Sequence, residues 1–314
     1  MFDGKYLDDG ELAKGSAALV TGLRTALVAC VAAIGAFGAL VYTARTYRLT
    51  QRGQITERFT KALERLGSEH QYVRIGGILA LEQIVQDAPE QAATDAARVL
   101  GHFIRDRAPK AVPTKPVLNL HESALSTTPA VAEKLPDVPD ADVQAALTAL
   151  TRAESRTHVD PREVLNLVGL HLAGARLSHA ELTWADLSEA TLTNADLREA
   201  TLTHADLHGT TLTGAYLHGA TLTGAYLANA TLTRAHLREA TLTKAILIGA
   251  TLTEANLAEA TLTKANLAEA TLTEADLSGA TLTEADLCGA DLTEVRGFTQ
   301  PLTAGQTDGM TILP

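Results

Sequence analysis

The chain has 314 residues, of which 46% are hydrophobic but only 4% are aromatic, so a conventional packed globular enzyme is not the favoured class. With 26 Lys and Arg against 37 Asp and Glu, the net charge of −11 argues against non-specific nucleic-acid binding through a basic surface. Two cysteines, Cys30 and Cys288, are too few and too far apart for a disulfide framework or a zinc site.

Residues 1–24 form an N-terminal flank, and residues 25–44 are predicted to form a transmembrane helix. The stretch TALVACVAAIGAFGALVYTA carries no charge and matches the roughly 20 residues that span a bilayer. A cleaved secretory signal fits poorly, because the apolar run is long and acidic residues precede it. Four arginines follow the span and three basic residues precede it, so we expect a single-pass cell-membrane protein with its bulk in the cytoplasm.

Residues 45–107 are predicted to form a membrane-proximal helical region. Apolar residues recur at helical spacing near residues 55–66, 72–85 and 91–105. Such a bundle is either a spacer or dimerising collar beside the membrane, or a docking site for a partner. Residues 108–140 contain six of the ten prolines and are predicted to be a linker that does not pack. Residues 141–164 are predicted to hold a capping helix and a lead-in to the next domain.

A repeat decides the fold of residues 165–294. Leucine stands at every fifth position from Leu167 to Leu292. From Ala175 to Ala290, alanine precedes it by two positions at 23 of 24 places, the exception being Thr210. A five-residue period fits neither an amphipathic helix nor a simple strand. The chain must instead turn a corner every five residues and direct a small residue and a leucine inward. This pattern predicts a solenoid with a dry leucine core.

The A-(D/N)-L-x-x pattern resembles the pentapeptide-repeat family. That resemblance implies a mainly β fold, a right-handed quadrilateral β-helix with four quintets in each coil. The segment GQITERFTKALERLGSEHQYVRIGGILALEQIVQDA, followed by VLGHFIRDRA, and a tail at residues 297–314 are similar to those of membrane-anchored actinobacterial pentapeptide-repeat proteins, a group without an established activity. The resemblance implies that residues 295–314 are a C-terminal cap.

A coil of four quintets determines which side chains share a face. The core leucines of one face are predicted to be Leu187, Leu207, Leu227, Leu247, Leu267 and Leu287. A neighbouring face carries a threonine ladder formed by Thr191, Thr193, Thr211, Thr213, Thr231, Thr233, Thr251, Thr253, Thr271 and Thr273, and a second ladder lies opposite. On the first face an exposed apolar patch is predicted, a candidate for partner binding or self-association that consists of Tyr226, Ala228, Ile246 and Ile248.

These features predict a non-enzymatic, membrane-tethered scaffold that binds an unidentified protein partner, with a homodimer also open. No catalytic constellation, cofactor site or metal site is expected, and direct nucleic-acid binding is not expected. One alternative follows from the 16 acidic and six basic residues in 165–294, because acidic rods of this family imitate DNA and bind DNA gyrase. Another alternative is ice binding, because the threonine ladders resemble those of β-helical ice-binding proteins.

Overall fold

The computed structural model describes residues 9–111 and 135–297. Its backbone forms two compact units, Met1–Glu57 and Arg58–Pro314. Helix α1 spans Asp9–Leu66 and is 58 residues long. The transmembrane helix predicted at residues 25–44 lies within this one helix. The helix continues through residues 45–54, which contain no proline and only one glycine, Gly53.

Within α1, the segment Leu19–Tyr47 is 29 residues long, contains an 18-residue stretch with a mean hydropathy of 2.1 and is long and apolar enough to cross a membrane. Its threonine hydroxyls bond back to the carbonyl oxygens four residues earlier: Thr25 to Thr21 at 2.9 Å and Thr43 to Ala39 at 2.8 Å. These polar groups are therefore satisfied inside the helix.

The second unit begins with a helical bundle. Helix α2 spans Gln71–Asp87, α3 spans Glu90–Arg107, α4 spans Ala141–Thr151 and α5 spans Ala153–Arg156. Helices α2, α3 and α4 pack on one another around a core whose fully buried side chains include Ile78, Leu81, Leu100, Ile104 and Leu147. The capping helix predicted at 141–152 is thus a member of the bundle.

Close approach of α2 to the end of α1 depends on a glycine. A Cβ at Gly77 would lie 2.8 Å from the carbonyl oxygen of Ala62, which real Cβ atoms do not tolerate. An ion pair ties α2 to α4: Arg74 Nε donates to Asp142 Oδ2 at 2.7 Å, and the Asp142 side chain is completely buried. Arg74 also donates to the carbonyl oxygens of Ser68 and Glu69, which fixes the turn between α1 and α2.

Residues 165–294, called the rod below, form a solenoid with four quintets in each coil. Parallel bridges join residues four quintets apart, such as Asp186 to Asp206 and Thr191 to Thr211, from Asn166 as far as Arg296. The predicted solenoid is confirmed. We name its four sides after their leucines: face 1 carries Leu187, face 2 Leu192, face 3 Leu197 and face 4 Leu202, and each face recurs at every fourth quintet.

The described part of the rod contains single-residue bridges and no extended strand, so the right-handed β-helix remains a prediction. Extended strands are interrupted by a turn at every corner of the coil. Every fifth residue from Gly169 to Glu294 has a positive φ, as at Glu189 with φ 56°, and the next residue donates its N–H to the preceding leucine carbonyl, as Ala190 does to Leu187 at 3.1 Å. A positive φ at the third position is the signature of a type II turn, and it interrupts any extended run.

The rod interior is apolar. The six leucines of face 1, from Leu187 to Leu287, are each 0% exposed, and the alanines that precede them by two positions are also buried. Backbone bonds run along the rod between coils: Leu187 N donates to Asp206 O at 2.8 Å, and Asp206 N donates to Ala185 O at 2.9 Å. The backbone is thereby satisfied while the leucines stack.

The first coil of the rod has three hydrogen-bond acceptors in place of a preceding coil. His171 N donates to Pro109 O at 2.8 Å, Arg176 N to Gln144 Oε1 at 2.9 Å, and Glu181 N to Thr151 O at 2.6 Å. On face 1 the ordinary bond between coils begins with Asp186 N, which donates to Leu165 O at 2.9 Å. The bundle therefore caps the open end of the rod, as solenoids require.

Both described ends of the predicted linker contact the rod. Lys110 forms an antiparallel bridge with Leu170, and His171 Nε2 bonds Pro136 O at 2.8 Å. The prediction that residues 108–140 do not pack is therefore wrong at these ends, because their carbonyl groups supply acceptors to the first coil. Residues 112–134 lie outside the described residues, as do residues 298–314 of the predicted C-terminal cap.

Candidate interaction surfaces

The residue before each leucine controls the local turn. Where it is Asp or Asn, its side chain accepts the N–H of the residue after the leucine: Asp206 from His208 at 2.9 Å and Asn256 from Ala258 at 3.0 Å. The same contact recurs at Asp186, Asp196, Asn266, Asp276, Asp286 and Asp291. This is an Asx turn, which explains why Asp and Asn are favoured at this position on faces 1 and 3, whereas threonine occupies it on most of faces 2 and 4.

Three of these carboxylates are held ionised by their acceptor role. The hydrogen bond from the Ser278 side chain lowers the pKa of Asp276, and the Thr293 hydroxyl, 2.6 Å away, lowers the pKa of Asp291. The hydrogen bond from the Arg198 guanidinium lowers the pKa of Asp196. Donors that bond the charged form favour it.

Two sites in the middle of the rod depart from this rule on opposite faces. On face 1, Tyr226 and Ile246 occupy the position before leucine in two successive coils, and on face 3 Tyr216 and His236 do so. None of these four side chains is a carboxylate or a carboxamide, so the Asx turn is lost there. Aromatic or apolar surface is exposed in its place.

On face 1 the predicted patch is real only in part. Tyr226 is 41% exposed, Ile248 is 38% exposed and Ile246 is half-buried. Ala228 is only 5% exposed, so its inclusion in the exposed patch is wrong: its small side chain lies lower than the larger residues around it. The exposed apolar surface therefore consists of Tyr226, Ile246 and Ile248, which we call the face 1 patch.

On face 3, Tyr216 and His236 stack with ring centroids 5.0 Å apart and an interplanar angle of 7°. They border an open groove of about 480 Å³ that Arg234 and Glu254 also line. The sequence analysis did not single out this pair. The signal was available, since the two residues are four quintets apart and hence stacked in adjacent coils.

Two further ring contacts join neighbouring coils. Trp184 stacks on His204, four quintets later, at 4.4 Å and is 59% exposed. His208, which follows its leucine, stacks on Tyr226, which precedes the leucine of the next coil, at 5.7 Å. Among residues 9–111 and 135–297, no group of three or more His, Cys, Asp or Glu side chains could hold a metal ion. The stacked rings thus form surface contacts between coils.

The two threonine ladders occupy opposite faces of the rod. Thr191 and Thr193, and their equivalents through Thr271 and Thr273, are half-buried on face 2, and the second ladder occupies face 4. Bridges join the threonines of successive coils, as between Thr231 and Thr251. Near the last coil, the Thr273 hydroxyl donates to Asp291 at 3.2 Å.

Ion pairs between neighbouring coils neutralise part of the negative surface charge of the rod. Arg238 lies 2.7 Å from Glu259, Arg234 lies 3.5 Å from Glu254, and Lys264 lies 3.4 Å from Glu284. Glu254, Glu274 and Glu294 nevertheless occupy one corner in three successive coils. The acidic surface is thus concentrated toward the C-terminal coils.

The family of pentapeptide repeats matches this chain in eight copies, over residues 165–194, 180–219, 190–227, 220–258 and 255–294. Residues 165–294 are a pentapeptide-repeat domain. The match coincides with the segment in which parallel bridges recur from coil to coil. Among curated proteins, none matches this chain.

Solved structures similar to the pentapeptide-repeat domain include HetL, a pentapeptide repeat protein involved in heterocyst differentiation regulation from the cyanobacterium Nostoc sp. strain PCC 7120. It is 28% identical over 46% of this chain and 81% of its own, with a TM-score of 0.23. QnrB1, a plasmid-mediated fluoroquinolone resistance protein, is 18% identical over 48% of this chain and 78% of its own, with a TM-score of 0.30. Rfr23 from the cyanobacterium Cyanothece 51142 is 37% identical over 32% of this chain and 61% of its own, with a TM-score of 0.19.

Proposed function

We propose that this chain is a membrane-tethered, non-enzymatic scaffold whose pentapeptide-repeat domain binds a protein partner in the cytoplasm. The observation that carries the proposal is the loss of the Asx turn at two sites on opposite faces of the rod. At Tyr226 and Ile246, and at Tyr216 and His236, a local hydrogen bond is absent and exposed aromatic or apolar surface is present. Such surface on a soluble rod is typical of protein contacts.

Helix α1 supports the membrane part of the proposal. Its apolar segment Leu19–Tyr47 exceeds the length a bilayer requires, none of its most apolar stretch is buried, and its threonine hydroxyls need no outside partner. Arginines at 45, 48, 52 and 58 follow the predicted span, which favours a cytoplasmic location for the rod.

The rod core supports the non-enzymatic part. Leucine and alanine fill each coil from all four faces, so the interior offers no cleft in which polar groups converge on a substrate. The groove beside Tyr216 lies at the surface and is open to solvent. A surface of this kind suits the side chains of a protein better than a small molecule.

The test is affinity co-purification of the full-length protein from its own membranes beside two repaired variants. Tyr226→Asp with Ile246→Asn, and Tyr216→Asp with His236→Asn, restore the residue types that the repeat uses elsewhere and so remove each surface without removing the fold. Thr231→Ser with Thr251→Ser is the matched control on face 2. We expect a partner to be lost with one repaired pair and kept with the control.

Retention of every co-purified protein by both repaired variants would contradict the proposal, because no partner would then depend on these surfaces. A normal melting curve for each variant shows that the fold is intact, so that loss of a partner reports on the surface.

A gyrase-directed acidic rod is the second candidate, favoured by the row of Glu254, Glu274 and Glu294. It predicts that the detergent-solubilised full-length protein inhibits supercoiling by DNA gyrase and that Glu274→Lys weakens this inhibition. Ice binding, the third candidate, predicts shaped ice crystals that are lost when Thr231 is changed to Tyr.

A further inference from the structure

We propose that face 1 of the rod is the contact between two copies of this chain, arranged side by side with their rods parallel. This inference rests on the proposed function, because it assigns one of the two exposed surfaces to a second copy. Face 3 then remains free for a different partner.

The apolar residues of face 1 are complementary to themselves. In a pair whose two-fold axis runs parallel to the rods, each residue before a leucine lies opposite the residue after the same leucine in the second copy. Tyr226, which is large and 41% exposed, then lies opposite Ala228, which is small and only 5% exposed. Ile246 lies opposite Ile248. A protruding ring thus meets a depression, and an apolar side chain meets an apolar one.

The coils on the N-terminal side of the face 1 patch give polar pairs in the same register. Asp206 lies opposite His208 of the second copy, and Asp186 lies opposite Ser188. Each carboxylate uses Oδ1 within its own chain, so Oδ2 is available to a donor on the second copy. This pairing brings no like charges together on the face.

The edges of face 1 are complementary as well. Lys264, which also lies 3.4 Å from Glu284 of its own chain, is at the corner before face 1. Glu269 is at the corner after face 1 in the same coil, so the two-fold axis brings Lys264 of each copy to Glu269 of the other. Gly224 and Gly249 form the rim beside Tyr226 and Ile248, and a rim without side chains allows close approach.

An antiparallel pair centred on the same patch keeps apolar contacts, with Tyr226 opposite Ile246 and Ala228 opposite Ile248, but it lacks the polar complementarity. Its register places Asp186 opposite Asp286 and Lys264 opposite His204. It also places the two helical bundles at opposite ends of the pair, whereas a parallel pair has both at one end. Two chains anchored by α1 in one membrane fit the parallel arrangement, and tethering raises their effective concentration so that a modest contact area suffices.

The test is cysteine cross-linking of the full-length chain in membranes, in a Cys30→Ser, Cys288→Ser background. Two differently tagged copies are co-expressed, one with Ile246→Cys and the other with Ile248→Cys. We expect a disulfide between the two tags after mild oxidation. The matched pair Thr251→Cys and Thr253→Cys, at the same spacing on face 2, is expected to remain uncross-linked.

The pair Asp186→Cys and Asp286→Cys reports the orientation, since these positions lie in widely separated coils of a parallel dimer and opposite each other in an antiparallel one. Cross-linking at this pair, equal cross-linking on faces 1 and 2, or no cross-linking at all would overturn the inference. Partner capture that persists in the absence of cross-linking would overturn only the inference and leave the proposed function standing.

Charge reversal provides a second measurement. Lys264→Glu is expected to reduce the cross-linked fraction several-fold, and adding Glu269→Lys in the same chain is expected to restore it. Lys244→Glu is the control, because Lys244 lies opposite Gly249 in the parallel pair. Failure of the double variant to recover, beside an unchanged melting curve, would contradict this register.

Discussion

The hydroxyl of Thr210 donates a hydrogen bond to the backbone carbonyl of Leu187 at 2.8 Å inside the rod. Thr210 is 0% exposed and occupies a position that the other repeats between Ala175 and Ala290 fill with alanine. The same carbonyl oxygen accepts the N–H of Ala190 at 3.1 Å, so the Thr210 hydroxyl donates to the second lone pair of that oxygen. Thr210 is the one residue of this series that is not alanine, and its buried hydroxyl has a hydrogen-bond partner without any water.

We expect Thr210→Val to lower the free energy of unfolding by about 1 kcal/mol, because the shape is kept and one hydrogen bond is lost. Thr210→Ala restores the residue of the other repeats and is expected to cost a similar amount, since it trades the bond for a small void. Urea denaturation of both variants measures the difference. A loss above about 3 kcal/mol in Thr210→Val would mean that more than this bond depends on the hydroxyl.

The Arg74–Asp142 ion pair is expected to stabilise the helical bundle that caps the rod. Asp142→Ala leaves the nearly buried Arg74 guanidinium without its carboxylate, and loss of one partner of a buried pair costs about 3–5 kcal/mol. Arg152→Ala removes the 2.7 Å pair in which only Arg152 is exposed, and leaving the buried Glu82 carboxylate without this donor is expected to cost about 1–3 kcal/mol. Thermal unfolding of the two variants should rank them in this order, and equal losses would contradict it.

Restoring the Asx turn on face 1 is expected to leave stability unchanged or to raise it. Ile246→Asn introduces the residue found at positions 256 and 266, where the side chain accepts the N–H two residues later at 3.0 Å. The gain of a turn hydrogen bond is about 0.5–1.5 kcal/mol. A melting temperature clearly below that of the wild type would show that Ile246 packs within its own chain.

Glycine corners of the rod should differ in their tolerance of a side chain. Gly219 has a φ of 66°, and a Cβ there would meet Glu199 Cγ at an ordinary 3.5 Å, so Gly219→Ala is expected to cost about 1–2 kcal/mol for the left-handed conformation alone. At Gly174 a Cβ would collide with the carbonyl oxygen of Asp137, so Gly174→Ala should cost more and should detach residues 135–140 from the rod. Limited proteolysis near residue 137 reports the detachment, and its absence would contradict the expectation.

Acid is expected to weaken the rod through its Asx carboxylates. The pKa values of Asp196, Asp276 and Asp291 are lowered in the fold, so the stability that these groups contribute is present above the ordinary aspartate pKa of about 3.9. That stability is lost as pH falls through the lower folded values. Melting curves between pH 6 and about pH 2 should show the loss, and Asp276→Asn with Asp291→Asn should make it shallower. A pH dependence unchanged in the double variant would contradict this origin.

Much of the rod could be read from the sequence because its period is local. Leucine recurs at every fifth residue, with alanine two places earlier, and both side chains must point into the core at these fixed intervals. Only a small set of backbone turns meets that requirement. The sequence also contained the corner signal: every residue from Gly169 to Glu294 in steps of five adopts a positive φ, and none of them is β-branched. Helices α2 and α3 were predicted within two residues at each end for a similar reason, since their apolar stripes have a local period.

The sequence did not reveal contacts that join distant segments. Gln144 and Thr151 lie in α4 and Pro109 follows α3, and only tertiary packing brings their acceptors to the first coil. The depth of Ala228 likewise depends on the size of the side chains in neighbouring coils.

The sequence by itself determined the solenoid, its dry leucine core, its threonine faces and an apolar segment long enough to cross a membrane, because each follows from residues repeated or clustered along the chain. Only the tertiary structure decided how the rod is capped, that the predicted capping helix belongs to the bundle, and which side chains of the face 1 patch protrude. These features depend on hydrogen-bond partners and neighbours tens of residues apart, and a local period carries no information about them.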